Sequence, residues 1–116
     1  MSSIWKLKVA FFRTDLGNEP VRQWLRGLPR REKKLIGEDL KTVQLGWPVG
    51  MPLVRKLGAD LWEVRSKLDN RIARVLFTVR DGSMVLLHGF IKKSEKTPLN
   101  DLRLAKVRLA IVRSSL

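Results

Sequence analysis

The chain has 116 residues, 24 of them Lys or Arg and 11 Asp or Glu, which gives a formal net charge of +13. Its length predicts one domain over residues 1–116, and 44% hydrophobic content is typical of a folded protein rather than a disordered basic tail. The absence of cysteine excludes disulfides, thiolate nucleophiles and cysteine zinc sites, and a single histidine excludes a histidine pair for acid–base chemistry or metal binding.

The N-terminal part reads as a strand followed by two helices. Apolar and basic side chains alternate within residues 4–12, which predicts a strand. Pro20 suits the first turn of a helix, with Asn18 or Glu19 as its cap. A second helix is predicted from about residue 30 to residue 45, so the two helices form a hairpin. The first helix has an apolar face made of Val21, Trp24, Leu25 and Leu28.

The C-terminal part reads as a meander of strands closed by a helix. A loop rich in Pro and Gly at 46–52 precedes the strands, and Asp69-Asn70 and Asp81-Gly82 are hairpin turn signals. Thr97 is predicted to cap the last helix, with Pro98 at its first position. The fold class is therefore α+β: an N-terminal strand and helical hairpin packed on a twisted, mainly antiparallel sheet, with a C-terminal helix. The predicted strands of the meander are 53–57, 61–68, 71–80 and 84–92.

Two arginines are predicted to lie side by side on the sheet. Side chains alternate along a strand, and the turn at 69–70 makes the two strands neighbours, so Arg65 and Arg74 are expected on one face. Cations in contact repel each other unless an anion neutralises them, which favours a phosphate site. The alternative is that one or both arginines pair with a nearby carboxylate, namely Glu63, Asp60 or Asp69.

Three further features are candidates for nucleic-acid contacts. The segment 90–98 carries Lys92, Lys93 and Lys96 between the last strand and the helix, and it is interpreted either as a phosphate-binding segment or as a solvated loop. His88 is either a packed, hydrogen-bonded residue or a proton donor beside the arginines. Trp47 is either core or an exposed platform for base stacking.

The charge of the chain indicates the class of its partner, and its hydropathy indicates its location. A sequence pI near 11.2 favours a polyanionic partner: nucleic acid first, an acidic protein second and an anionic membrane surface third. A generally solvated basic surface is the remaining reading. No apolar run approaches the length of a membrane span, and residues 1–6 do not read as a signal peptide, so a cytoplasmic location and no membrane association are expected.

The second half of the chain resembles a known family. The segments LWEVR at 61–65, RIARV at 71–75 and LHGFIKKSEKTP at 87–98, followed by an amphipathic helix, resemble the phage-derived HigB-like branch of the RelE toxin superfamily. The resemblance implies a metal-independent and cofactor-independent endoribonuclease that cuts mRNA in the ribosomal A site and inhibits translation. It also implies a type II toxin–antitoxin module whose antitoxin carries a helix-turn-helix domain and forms a hetero-oligomer with the toxin.

Site residues follow from the resemblance position by position. Arg65 matches a basic strand position, Arg74 the arginine that stabilises the transition state, and Lys93 or its neighbour Lys92 the basic residue at the strand end. His88 is typical of this branch. With these catalytic candidates go four RNA-binding candidates: Lys67, Lys92, Lys96 and Trp47.

The chain departs from the family in its acid–base groups. Many members use a tyrosine or a second histidine near the C-terminus, whereas this chain has no tyrosine and one histidine. Proton transfer therefore stays open among His88, Lys93, Lys96 and Glu63, and the alternative is that cleavage rests mostly on charge stabilisation and on groups of the ribosome. The departure also motivates an alternative to an active toxin: an inactive homologue, a basic module that acts with its antitoxin and binds RNA or an operator without cleaving it. A further alternative is a basic interaction protein whose partner is an acidic protein.

Overall fold

The structure, a computed structural model, describes residues 5–93 and 95–115. Within them it has one five-stranded sheet and three helices, which confirms the predicted α+β architecture. Ile4, at the predicted start of the first strand, and Ser94, in the basic segment, lie outside the described residues. The elements are β1 Lys8–Phe11, α1 Pro20–Arg26, α2 Arg30–Gly46, β2 Val54–Gly58, β3 Leu61–Lys67, β4 Ile72–Arg80, β5 Ser83–Lys92 and α3 Leu99–Ser114.

The sheet has the order β1-β5-β4-β3-β2. Strands β2 to β5 form the predicted antiparallel meander, and β1 pairs with β5 in parallel. The turn from β4 to β5 holds Asp81 at φ 51° and Gly82 at φ 76°, the backbone that a tight hairpin with the native twist requires.

The sheet carries a different layer of helix on each face. On one face, α1 and α2 bury a core that includes Ile36, Val43 and Phe77. On the other face, Ala105 and Leu109 of α3 pack on a second core. Helix α1 packs so closely on β5 that position 89 requires a glycine, because a Cβ there would lie 2.4 Å from ring carbons of Trp24. We call these the hairpin face and the α3 face of the sheet.

Two local predictions are wrong. Strand β1 begins at Lys8 rather than at residue 4, because the N–H groups of Lys6 and Leu7 both donate to the carbonyl of Gln44 in α2 instead of entering the sheet. Thr97 does not cap α3, because Pro98 takes the cap position instead of the predicted first helical position and α3 begins at Leu99. The Thr97 hydroxyl donates instead to Glu63 of β3, which is 34 residues away in the sequence.

None of the helices among residues 5–93 and 95–115 has both the length and the apolar character that crossing a membrane demands.

Candidate nucleic-acid interface

The two predicted arginines are direct neighbours in the sheet. Arg65 of β3 and Arg74 of β4 are partners in the antiparallel register, so both side chains lie on the α3 face. On that same face, Glu63 lies two residues from Arg65 along β3, and Arg55 of β2 lies opposite Glu63. We call Arg55, Arg65 and Arg74 the arginine cluster. The three side chains lie close together because β2, β3 and β4 are adjacent and all three side chains point to the α3 face.

Arg74 is the buried member of the cluster. Its side chain is 0% exposed, and its guanidinium carbon lies 5.9 Å from the ring centroid of Phe90 on β5. Burial lowers the pKa of the Arg74 guanidinium; the Glu63 carboxylate acts against that shift and the Arg65 charge adds to it. Arg65 keeps 13% of its side chain exposed, so it is the arginine that an external anion meets before Arg74.

Glu63 is a fully buried carboxyl group beneath the cluster. The hydroxyl of Thr97 donates to its Oε2 at 2.6 Å, and the Nε of Arg65 lies 3.8 Å from its Oε1. The alternative to a phosphate site, in which a nearby carboxylate pairs with one of the arginines, therefore holds for Glu63 and Arg65. The other two candidates, Asp60 and Asp69, pair instead with arginines of α3 and α2.

A second carboxylate reaches the cluster from the solvent side. The Oε2 of Glu95 lies 3.0 Å from Nη2 of Arg65, and the Glu95 backbone carbonyl accepts a hydrogen bond from Nη1 of Arg55 at 3.5 Å. The Glu95 side chain is 84% exposed, so solvent screens this ion pair and it contributes little to stability. Glu95 thus pairs with Arg65 on the side that faces solvent.

An open cleft of about 220 Å³ lies beside this ion pair. Arg65 and Lys67 line one side of it and Glu95 lines another. Lys67 is exposed and shares the α3 face with Arg65, since residues two apart on a strand point the same way. The structure therefore brings the RNA-binding candidate Lys67 to the cluster.

His88 of β5 is a packed residue that contacts the first turn of α3. Its Nε2 lies 2.7 Å from Oδ1 of Asp101, and its ring stacks on Phe90 with centroids 5.5 Å apart. The other carboxylate oxygen of Asp101 lies 3.5 Å from Nζ of Lys92. His88 and Arg74 thus contact the same Phe90 ring, but the imidazole already has a carboxylate partner.

The remaining candidates lie in two separate parts of the molecule. Lys93 and Lys96 are exposed in the segment that joins β5 to α3, close in sequence to Glu95. Trp47 lies apart from them: its ring meets Trp62 edge to face at 5.1 Å and packs against the core of the hairpin face. It is half-buried there, and the interpretation of Trp47 as core matches this packing.

Sequence reasoning missed three members of this site. Arg55 had a usable signal, because alternation in the predicted strand 53–57 places it beside Glu63. Glu95 and Asp101 had none, since their contacts with Arg65 and His88 span 30 and 13 residues of sequence. Such contacts appear only when the segment before α3 folds back over the sheet.

A comparison with protein families places the arginine cluster within a known family. A family model described as "Phage derived protein Gp49-like (DUF891)" matches residues 23–110, a range that contains the whole arginine cluster and Glu63. No curated protein matches the chain.

Proposed function

The chain belongs to the phage-derived Gp49-like family, a family of RelE/HigB-like toxins, and from that premise we propose that it is an mRNA endoribonuclease. In this proposal it is the toxin of a type II module, acts in the cytoplasm on mRNA in the ribosomal A site, and is held by an antitoxin with a helix-turn-helix domain. The observation that carries the proposal is the arginine cluster, three cations on adjacent strands next to an open cleft.

The cluster suits RNA cleavage by the adjacent 2′-hydroxyl. Attack of that oxygen on the phosphodiester places extra negative charge on the phosphorane oxygens, and fixed cations stabilise this charge more than that of the ground state. Arg65 meets the phosphate, with Lys67 at the neighbouring position. Arg74, 0% exposed, contributes its charge from beneath Arg65 and reaches RNA only if the side chains above it move.

The acid and the base stay among the groups near the cluster. Glu63 is the weakest candidate, because it is 0% exposed and accepts a hydrogen bond from Thr97. His88 must exchange Asp101 for a substrate oxygen to act as a proton donor. Lys93 and Lys96 are exposed beside the segment that carries Glu95 and need no such rearrangement to approach RNA.

The test is inducible expression in bacteria, with and without the small open reading frame next to the gene, followed by mapping of mRNA 5′ ends. We expect growth arrest with cuts inside translated codons, relieved by the neighbouring reading frame. Arg65→Gln removes a partly exposed cation of the cluster and is expected to remove the cuts. Lys41→Gln, which takes the same charge from an exposed position on α2, is the matched control and is expected to keep them.

A second candidate function is RNA binding without cleavage. It is favoured by two contacts: Glu95 pairs with Arg65, and Asp101 holds the single histidine of the chain, His88. This module would bind RNA with strong salt dependence and leave no new ends. Growth arrest without cuts in the same experiment would select it over the endoribonuclease.

A further inference from the structure

An apolar groove lies on the side of the molecule away from the arginine cluster. It has a volume of about 250 Å³ and runs between α1 and α2 beside the edge strand β1. Phe11, Leu25 and Leu40 form its apolar surface, and all three belong to or pack on the core of the hairpin face. Gly37 of α2 also lines it, and a Cβ at that position would meet no atom within 4 Å, so there is room there for a side chain.

The charged residues that line this groove are basic, and one of them, Arg22, also pairs with the carboxylate of Glu19 at 3.2 Å. The lining residues Arg22, Arg26 and Lys33 are exposed and basic, and no carboxylate lines the groove among the residues that the structure describes. The guanidinium of Arg22 lies 5.1 Å above the ring of Phe11, and Nζ of Lys33 donates to the carbonyl of Arg26 at 3.4 Å. Those contacts hold the positive charges at the rim, around an apolar floor.

We propose that this groove docks an acidic amphipathic helix of a protein partner. Apolar side chains of that helix fill the space above Gly37, and its carboxylates pair with the basic rim. This is the way in which amphipathic helices bind grooves elsewhere, through anchors spaced three or four residues apart. The proposal rests on the proposed function only where it identifies the partner as the antitoxin.

Two other occupants fit the groove less well. Small-molecule sites usually have volumes of roughly 300–1,000 Å³ with a few convergent polar groups, and this groove is smaller and presents polar groups only at its rim. A nucleic-acid backbone would satisfy the cations but leave the floor of Phe11, Leu25 and Leu40 without an apolar partner. An acidic helix satisfies both the rim and the floor.

The position of the groove has a consequence for regulation. Because α1 and α2 cover the hairpin face and the arginine cluster lies on the α3 face, a helix seated in the groove leaves the cluster uncovered. Silencing of the cluster then requires a second segment of the same partner, with the groove acting as its anchor.

The test is a titration of the isotope-labelled full chain with a designed helical peptide, followed by NMR shifts of the backbone amides. The peptide has leucines on one face and glutamates on the other. Gly37→Leu fills the groove and Gly37→Ala is its matched control, since both changes favour the helix and neither meets a clash at the Cβ. We expect shifts centred on residues 25–40 and an affinity lowered about tenfold or more by Gly37→Leu, the value of one buried leucine anchor, but nearly unchanged by Gly37→Ala.

Four results would overturn the proposal. They are equal affinity for Gly37→Leu and the original chain, equal binding of a peptide with lysines in place of the glutamates, equal binding of one with glutamines in place of the leucines, and shifts confined to the arginine cluster. An RNA oligonucleotide that shifts the same groove amides and competes with the peptide would assign the surface to nucleic acid instead. None of these readouts depends on RNA cleavage, so loss of the proposed enzymatic function leaves the peptide result intact and the reverse also holds.

Discussion

Replacing Thr97 by valine removes the hydroxyl that donates to Glu63 and keeps the volume of the side chain. The acceptor is Oε2 of a residue that is 0% exposed, at 2.6 Å, so water has no access to replace the lost donor. A buried polar group left without its partner costs about 1–3 kcal/mol. We expect Thr97→Val to lower the free energy of unfolding by about 2 kcal/mol, which corresponds to a fall in Tm of about 8 °C for a chain of this size.

Urea unfolding measures this loss of unfolding free energy, and an unchanged m value shows that the substitution has not altered the unfolded state. Thr97→Ser keeps the hydroxyl and is expected to lose less than half as much. In a Glu63→Leu background the cost of Thr97→Val should shrink by at least about 1 kcal/mol, because leucine offers the Thr97 hydroxyl no acceptor. A loss below about 0.5 kcal/mol, or a double mutant whose effects simply add, would refute the role assigned to this hydrogen bond.

Three further changes have outcomes that follow from single contacts. Gly89→Ala places a Cβ 2.4 Å from the ring of Trp24 and should cost about 1–3 kcal/mol in urea unfolding; wild-type stability would contradict that close packing. Glu95→Gln breaks an exposed ion pair with Arg65, so it should change stability by less than about 1 kcal/mol yet strengthen RNA binding at low salt, and unchanged binding would show that Glu95 does not compete with phosphate. Gly82→Ala forces a side chain to φ 76° and should cost about 1–2 kcal/mol; thermal unfolding at the wild-type temperature would contradict this.

Much of the fold was predictable because its signals are local. Pro20 and the apolar face of residues 21–28 define α1, and the Asp81-Gly82 turn defines the hairpin of β4 and β5. The neighbouring positions of Arg65 and Arg74 also follow from local rules, since strand alternation and one turn suffice to pair them.

The parts that failed depend on contacts distant in sequence. Thr97 has the residue type of a cap, but its hydroxyl bonds to Glu63, 34 residues away. Residues 6 and 7 have the alternation of a strand, but their N–H groups bond to Gln44 of α2. In both cases the local pattern permitted two structures, and tertiary hydrogen bonds selected between them.

Trp47 illustrates a third limit. Its neighbouring prolines indicate a loop correctly, but an aromatic side chain in a loop is equally suited to stacking on a base and to packing on a core. In the structure its ring packs on the hairpin face, with the ring centroids of Trp62 and Phe77 at 5.1 and 5.6 Å. Burial of that kind follows from where the loop crosses the sheet, which sequence pattern alone does not give.

The most direct test of the arginine cluster is the chemistry of the RNA ends left by the purified protein on ribosomes programmed with a defined mRNA. We expect 2′,3′-cyclic phosphate and 5′-hydroxyl ends with the original chain and with Lys41→Gln. With Arg65→Gln at unchanged fold we expect a cleavage rate lower by about 100-fold or more, the usual effect of removing one group that stabilises transition-state charge. Equal cleavage by folded Arg65→Gln would contradict the site, and the absence of new ends from ribosome-bound protein would contradict the endoribonuclease itself.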